Sequence, residues 1–190
     1  MSQASGLRMV KAIAIALVSA LLTFFGTSAA LALASEDKAV IVADVLAHYN
    51  HKLTRPQADE LAGLVLRAGE RFKLAPLLIA SIIVRESGAR PWAISKGGDY
   101  GLMQVRWRVH KERIRKQYPQ VRGASDLLRP EINIFFGAEL FAEYYAKRGT
   151  IRGGLLRYSA GNKVLADRVL ATLGDLRKAY RNQERGLTSK

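Results

Sequence analysis

The residue in this chain most suggestive of chemistry is a single carboxylate. Glu86 follows the apolar run "APLLIASIIV", one residue beyond it after Arg85, and opens a stretch, "ESGARPWAISKGGDYGLMQV", broken by glycines and a proline. The run reads as a helix, and Glu86 falls in its last turn. The negative end of the helix macrodipole disfavours a second negative charge there. Burial disfavours ionisation as well, so both effects push the carboxyl pKa upward. A carboxylic acid kept protonated near neutral pH is what a general acid requires. A glutamate that simply faced water would need no such surroundings, and most glutamates do face water.

Other chemistry is thin. There is no cysteine, which excludes disulfides, thiolate metal sites and a cysteine nucleophile. His48 and His51 are spaced i, i+3, yet no convergent carboxylate stands near them in sequence, so no metal site is expected. No glycine loop followed by a lysine suggests a nucleotide, no Ser-His-Asp arrangement is apparent, and no cofactor is expected.

The elements that must position Glu86 read mostly as helices. Ser35 caps a first helix with Glu36 and Asp37 in its first turn, followed by "AVIVADVLAHY". Pro56 sits in the first turn of a second, "PQADELAGLVLRAGERF", which starts at Thr54 or Arg55. The third, from about Ala75 to Ser87, is apolar on nearly every face and reads as central and buried. From Gly88 to Val105 helical periodicity fails, and short strands or irregular loop are expected. Basic helical segments follow around "RVHKERIRKQY" and "ASDLL". Then "PEINIFFGAELFAEYYAKRG" presents Ile132, Phe135, Phe136, Leu140 and Tyr144 on one buried face and stops at Gly149. A last helical stretch covers roughly Val164 to Arg181. The fold class is α+β, predominantly helical.

Thirty Lys and Arg against sixteen Asp and Glu give a net charge of +14, which suits an acidic partner. The N-terminus narrows the choice. Arg8 and Lys11 precede an uncharged run from Ala12 to Ala34 that ends in small residues and an A-x-A site at Ala32-Leu33-Ala34. These are the parts of a secretory signal, with Ser35 the first mature residue. The run is also long enough to be a membrane anchor. Either way the domain, 35–190, is expected in the periplasm or cell envelope. The stretch "RWRVHKERIRK" could hold phosphates, but export argues against nucleic acid.

Glu86-Ser87, Ala93, Ser95, Gly98 and "GLMQV" at Gly101 to Val105 together resemble the soluble lytic transglycosylases that cleave peptidoglycan. Asn133-Ile134 with Gly137, then Tyr158-Ser159-Ala160-Gly161, continue the resemblance in order, over roughly 74–170. It implies a lysozyme-like fold with a small β-element beside the cleft. It implies Glu86 as the single catalytic acid and base, oriented by Ser87, with Tyr158 hydrogen-bonding near its carboxylate. Gly101, Leu102, Met103 and Gln104 would line the sugar subsites, and Asn133 would support the cleft from the long helix.

Most glycosidases use a pair of carboxylates, and the family manages with one. Its glutamic acid protonates the leaving oxygen while the substrate's N-acetyl group supports the developing cation. The carboxylate then takes the proton of the muramic C6 hydroxyl, closing a 1,6-anhydro ring. Asp99 is the only acid between Glu86 and Gln104. The flanking glycines suggest a turn in which it bonds its own backbone, so it is expected to be structural or solvent-facing.

The chain departs from the family after "GLMQV". Arg106-Trp107-Arg108-Val109-His110 stands where a proline and Thr-Ala are common, and where goose-type lysozymes usually place an aspartate first. "YSAG" replaces the commoner "YNAG". A muramidase and a non-catalytic wall-binding component of an envelope-spanning machine are the alternatives, an intact Glu86 speaking against the second. The expected partner is the peptidoglycan glycan strand, taken by a monomer, with secretion or wall-turnover machinery as further candidates.

Overall fold

The computed structural model describes residues 38–188, with side chains through 182. The expected leader at 1–34 and the cap at Ser35 lie outside the described residues. The described chain begins in a helix over 38–49, α1. It continues through α2 (Arg55–Phe72), α3 (Pro76–Ser87), β1 (Asp99–Tyr100), β2 (Val105–Arg106) and α4 (Trp107–Gln117). A 3-10 turn over Ala124–Leu128 leads to α5 (Pro130–Arg148), α6 (Ile151–Tyr158) and α7 (Lys163–Thr188). The molecule is predominantly helical with a small antiparallel sheet, as the sequence leads one to expect. Among the described residues no helix is long and apolar enough to cross a membrane.

Local chemistry sets the boundaries. Thr54 caps α2 through a capping box with Gln57, each side chain meeting the other's backbone N–H. Pro76 opens α3, and Gly88, in the left-handed region at φ 62°, closes it with its N–H on the carbonyl of Val84. The stop at Gly88 is what leaves Glu86 in the final turn.

Helix α3 packs against α2 and α7. Its residues from Leu78 to Val84 are all buried, inside a core that also takes Leu46, Val65, Ile134, Phe141 and Val169. A second cluster, Val105, Ile114, Val121, Leu127, Ile132, Phe136 and Leu140, lies beneath the sheet and α4. Helix α5 runs between the two. Ile132, Phe136 and Leu140 face the second cluster, and Ile134, Ala138 and Phe141 face the first. The single apolar face expected for α5 is therefore only half of its burial, and Phe135 and Tyr144 are only partly covered. Burial on two sides blurs the 3.6-residue periodicity that betrays a one-sided helix.

Helix α6 is absent from the sequence expectation. Gly153 and Gly154 argue against a helix on propensity, yet close packing on α5 requires the second of them. A Cβ at Gly154 would stand 3.0 Å from the Cα of Tyr145. Tertiary packing overrides propensity here.

Candidate active site

The sheet pairs Asp99 with Arg106 and Tyr100 with Val105, and residues 101–104 form the turn between them. The segment before it is stitched on by backbone bonds, Ser95 N–H to Asp99 O at 2.9 Å and Gly101 N–H to Ala93 O at 2.8 Å. This element lies beside the end of α3. Glu86, Asp99, Gln104, Arg106, His110, Tyr144, Arg157 and Tyr158 line one cavity of about 360 Å³.

Glu86 is partly buried at the cavity wall. Burial, then the negative charge of Asp99, raise its pKa from 4.5 to about 7, with the positive charge of Arg106 working partly against them. The carboxyl thus carries its proton for about half the time at neutral pH, poised to give it or take it. Asp99, the other carboxylate in the cavity, is tied down. Arg106 donates to both of its oxygens, at 2.6 and 2.8 Å, and the Ser95 hydroxyl donates at 3.0 Å. Burial resists ionisation of Asp99, but these hydrogen bonds and the charge of Arg106 outweigh it and hold the pKa below its ordinary value. Its side chain is structural, one of the two places expected for it, but it is bound by Arg106 and Ser95 at the cavity wall and not by its own backbone in a turn.

Gln104 takes a left-handed backbone, φ 49°, and its amide donates to the carbonyls of Gly101 at 2.8 Å and Ala93 at 3.2 Å. The Tyr158 hydroxyl donates to the carbonyl of Met103 at 2.8 Å. Burial and the nearby charge of Glu86 raise its pKa well above the phenolic range, so it remains a donor at any working pH. His110 lies against Phe136 at 5.6 Å between ring centres. Burial, then Arg113 and Arg106, lower its pKa, which keeps it neutral at neutral pH.

Of the residues to which the resemblance gives a catalytic, orienting or sugar-binding role, the cavity brings together Glu86, Gln104 and Tyr158. The others stand behind it. Ser87 is buried, its hydroxyl donating to the carbonyl of Ile83 at 3.0 Å. Asn133 is fully buried and engages three backbone groups. Its Oδ1 accepts from Met103 N–H at 2.7 Å, and its Nδ2 donates to Tyr100 O at 2.7 Å and Leu127 O at 2.8 Å. Leu102 and Met103 point into the core. Gly101, at φ 73°, leaves no room for a side chain, since a Cβ would come within 2.5 Å of Asn133 Nδ2 and 2.6 Å of Leu127 O. Gly137 serves the same contact from the helix, where a Cβ would press to 2.8 Å on Met103. Much of the motif therefore bolts the sheet element to α5 and so fixes the wall opposite Glu86. Tyr144 and Arg157 also reach the cavity without having been singled out for it, and Arg157 lies on the unforeseen α6.

Among the described residues no group of His, Asp and Glu is placed to hold a metal ion. His48 and His51 meet edge-on, 6.1 Å between ring centres.

Comparison with known proteins identifies the family. The chain is 36% identical over 73 residues to the endo-type membrane-bound lytic murein transglycosylase A of Citrobacter koseri, across 37% of this chain and 36% of that protein. It thus spans about a third of the length of that curated relative. The X-ray structure of an inactive mutant of lytic transglycosylase Slt from Pseudomonas aeruginosa superposes with a TM-score of 0.47 at 21% identity, over 61% of this chain and 21% of that one. The family model of the transglycosylase SLT domain matches residues 63–179, a span holding Glu86, the sheet, α5 and Tyr158. By that match across more than half its length, the chain belongs to the transglycosylase SLT domain family.

Proposed function

We propose that the protein is a peptidoglycan lytic transglycosylase. It would cleave the β-1,4 bond between muramic and glucosamine sugars, with Glu86 as both acid and base. The observation that carries the reading is Glu86 itself, a carboxyl with its pKa raised to about 7 in the wall of a cavity of glycan-binding size. Protonated, it delivers a proton to the glycosidic oxygen as the bond breaks, and the substrate's N-acetyl group supports the positive charge at C1. The resulting carboxylate removes the proton from the muramic C6 hydroxyl, whose oxygen closes on C1. Glu86 ends the cycle protonated, as it began.

Asp99 bears on the alternative outcome. Hydrolysis at this site calls for a base that activates water on the face opposite the acid. A carboxylate chelated by Arg106 and bonded by Ser95 is a weak base, because those donors stabilise its charged form. This favours the internal hydroxyl as acceptor over water. Digestion of unmodified sacculi tests the reading. Muropeptides ending in 1,6-anhydromuramic acid, each one water lighter than a muramidase product, are the expected outcome. Reducing-end sugars as the main product, together with a large loss of rate in Asp99→Asn, would make the protein a muramidase. Absence of any glycan release would leave a wall-binding component.

The basic charge, the apolar run at 12–34 and the name of the membrane-bound relative support placing the protein in the cell envelope, exported by a cleaved leader or held by an anchor. Mass spectrometry of the mature N-terminus separates these, Ser35 marking cleavage. We further propose that it acts as a monomer on glycan strands, in wall turnover or beside an envelope secretion apparatus.

A further inference from the structure

We propose that Arg148 and Arg157 form an anion-binding subsite adjoining the Glu86 cavity, which takes the carboxylates of the peptide borne by the muramic sugar. The proposal rests on the peptidoglycan reading above and adds a part of the substrate that the sugar cleft does not account for.

A second cavity is lined by Arg148, Gly153, Leu156, Arg157, Ala160 and Gly161. It shares Arg157 and Ala160 with the Glu86 cavity, so the two adjoin at the end of α6. Neither an aspartate nor a glutamate lines it. Among the described residues, four arginines of this basic chain are matched to carboxylates, Arg55 to Asp44, Arg106 to Asp99, Arg113 to Glu143 and Arg152 to Asp167, and most are not. Arg148 and Arg157 enter no such pair among the described residues.

One of the two is held in place by an aromatic ring. The Arg157 guanidinium lies over the ring of Tyr144, 5.4 Å from its centre, and Tyr144 itself lines the Glu86 cavity. Arg148 ends α5, and α6 begins directly against it. A Cβ at Gly153 would stand 2.8 Å from Arg148 Cβ and 2.9 Å from Thr150 Oγ1, so glycine is what lets the first turn of α6 seat there. A basic residue at a helix C-terminus also complements the macrodipole. That explains each residue type, but not why two guanidiniums and no carboxylate should line one cavity adjoining the cleft.

The ligand follows from the chemistry. Guanidinium prefers planar carboxylates, which it grips through paired N–H donors. The muramic sugar carries a lactyl-linked peptide rich in carboxylates, and that sugar must sit at Glu86 for its C6 hydroxyl to react. A peptide leaving the cleft past Arg157 meets Arg148 next, with Leu156 beneath it for its apolar side chains.

The test has two arms. In the first, a free acidic stem tetrapeptide is titrated into Glu86→Gln protein at low salt, and into the same protein carrying Arg148→Gln or Arg148→Lys. The expected result is saturable binding, weakened about tenfold by Arg148→Gln and less by Arg148→Lys, which keeps the charge but loses the paired N–H donors. In the second, the otherwise unaltered protein and Arg148→Gln are compared on peptide-bearing strands and on strands stripped of peptide by an amidase. The substitution is expected to raise KM several-fold more on peptide-bearing strands than on stripped ones, with kcat little moved. No peptide binding, or an equal change of KM on both substrates, would overturn the proposal. If the protein cleaves neither substrate, the catalytic reading falls, and the titration still decides the subsite.

Discussion

Asp99 and Arg106 face one another across the β1–β2 ladder and are joined by two charge-assisted hydrogen bonds, 2.6 and 2.8 Å long, in the wall of the cavity that holds Glu86. Their charges act on Glu86 in opposite senses, Asp99 raising its pKa and Arg106 lowering it. The pair therefore adjusts, on top of burial, the pH at which the acid is available. Removing Asp99 leaves the cation alone and lowers the Glu86 pKa. Removing Arg106 leaves the anion and raises it. Asp99→Asn should move the alkaline limb of the kcat/KM profile to lower pH, and Arg106→Gln should move it to higher pH. A pH-rate series on soluble glycan strands checks the direction. Shifts of the same sign in both variants would rule out this coupling.

Glu86→Gln removes the proton donor while keeping the shape of the side chain. Turnover of sacculi should fall by at least about 10²–10⁴-fold, with strand binding retained. A variant that digests sacculi at near wild-type speed would refute the assignment.

The same substitution carries a stability signature with a definite sign. The pKa of Glu86 rises from 4.5 to about 7 on folding, so the folded state holds its proton more tightly than the unfolded chain. Below the lower value both states are protonated and the residue costs nothing. As pH rises between the two values, only the unfolded chain releases the proton, and stability falls. Above the upper value the loss is complete, about 3 kcal/mol at most. Glu86→Gln never ionises. Urea denaturation should find it level with the wild type at pH 4 and about 1–3 kcal/mol more stable at pH 8.

Asn133→Ala should be among the most damaging single changes. It strands the N–H of Met103 and removes the donor to two carbonyls in a fully buried place. Each buried group left unpaired costs about 1–3 kcal/mol, so a total loss of about 3–5 kcal/mol is expected. Thermal melting measures it. Activity at low temperature should fall as well, because the sheet element loses its anchor to α5. A variant that melts like the wild type would show that the anchor is dispensable.

Gly154→Ala tests the packing that defines α6. Alanine is the better helix former by about 1 kcal/mol, but its Cβ would meet the Tyr145 backbone at 3.0 and 3.1 Å. Net destabilisation, read by chemical denaturation, is the expected result. A gain in stability would mean that α6 can move off α5 at little cost.

The sequence made Glu86 legible because two local signals agreed, an apolar helix and a glycine that ends it. Thr54, Pro56 and Gly149 marked helix ends for equally local reasons. What escaped depended on contacts distant in the chain. Gly153 and Gly154 argue against a helix until Arg148 and Thr150 are seen beside the first and the backbone of Tyr145 beside the second. Asp99 read as a turn residue because its partner in the ladder, Arg106, becomes visible only once the register is known. Gly101 and Asn133 stood out as parts of a motif, but a motif does not distinguish residues that touch a ligand from those that hold the wall. Their contact with each other supplies that distinction.

The bond from Asn133 to Met103 N–H has a kinetic consequence. The amide is fully enclosed, and α5, which holds its acceptor, is gripped by apolar clusters on both sides. No small local opening frees that amide, so its hydrogen exchange should proceed only through global unfolding. The exchange rate at Met103 would then report the stability of the whole fold, and heat inactivation would track melting rather than an earlier loosening of the cleft.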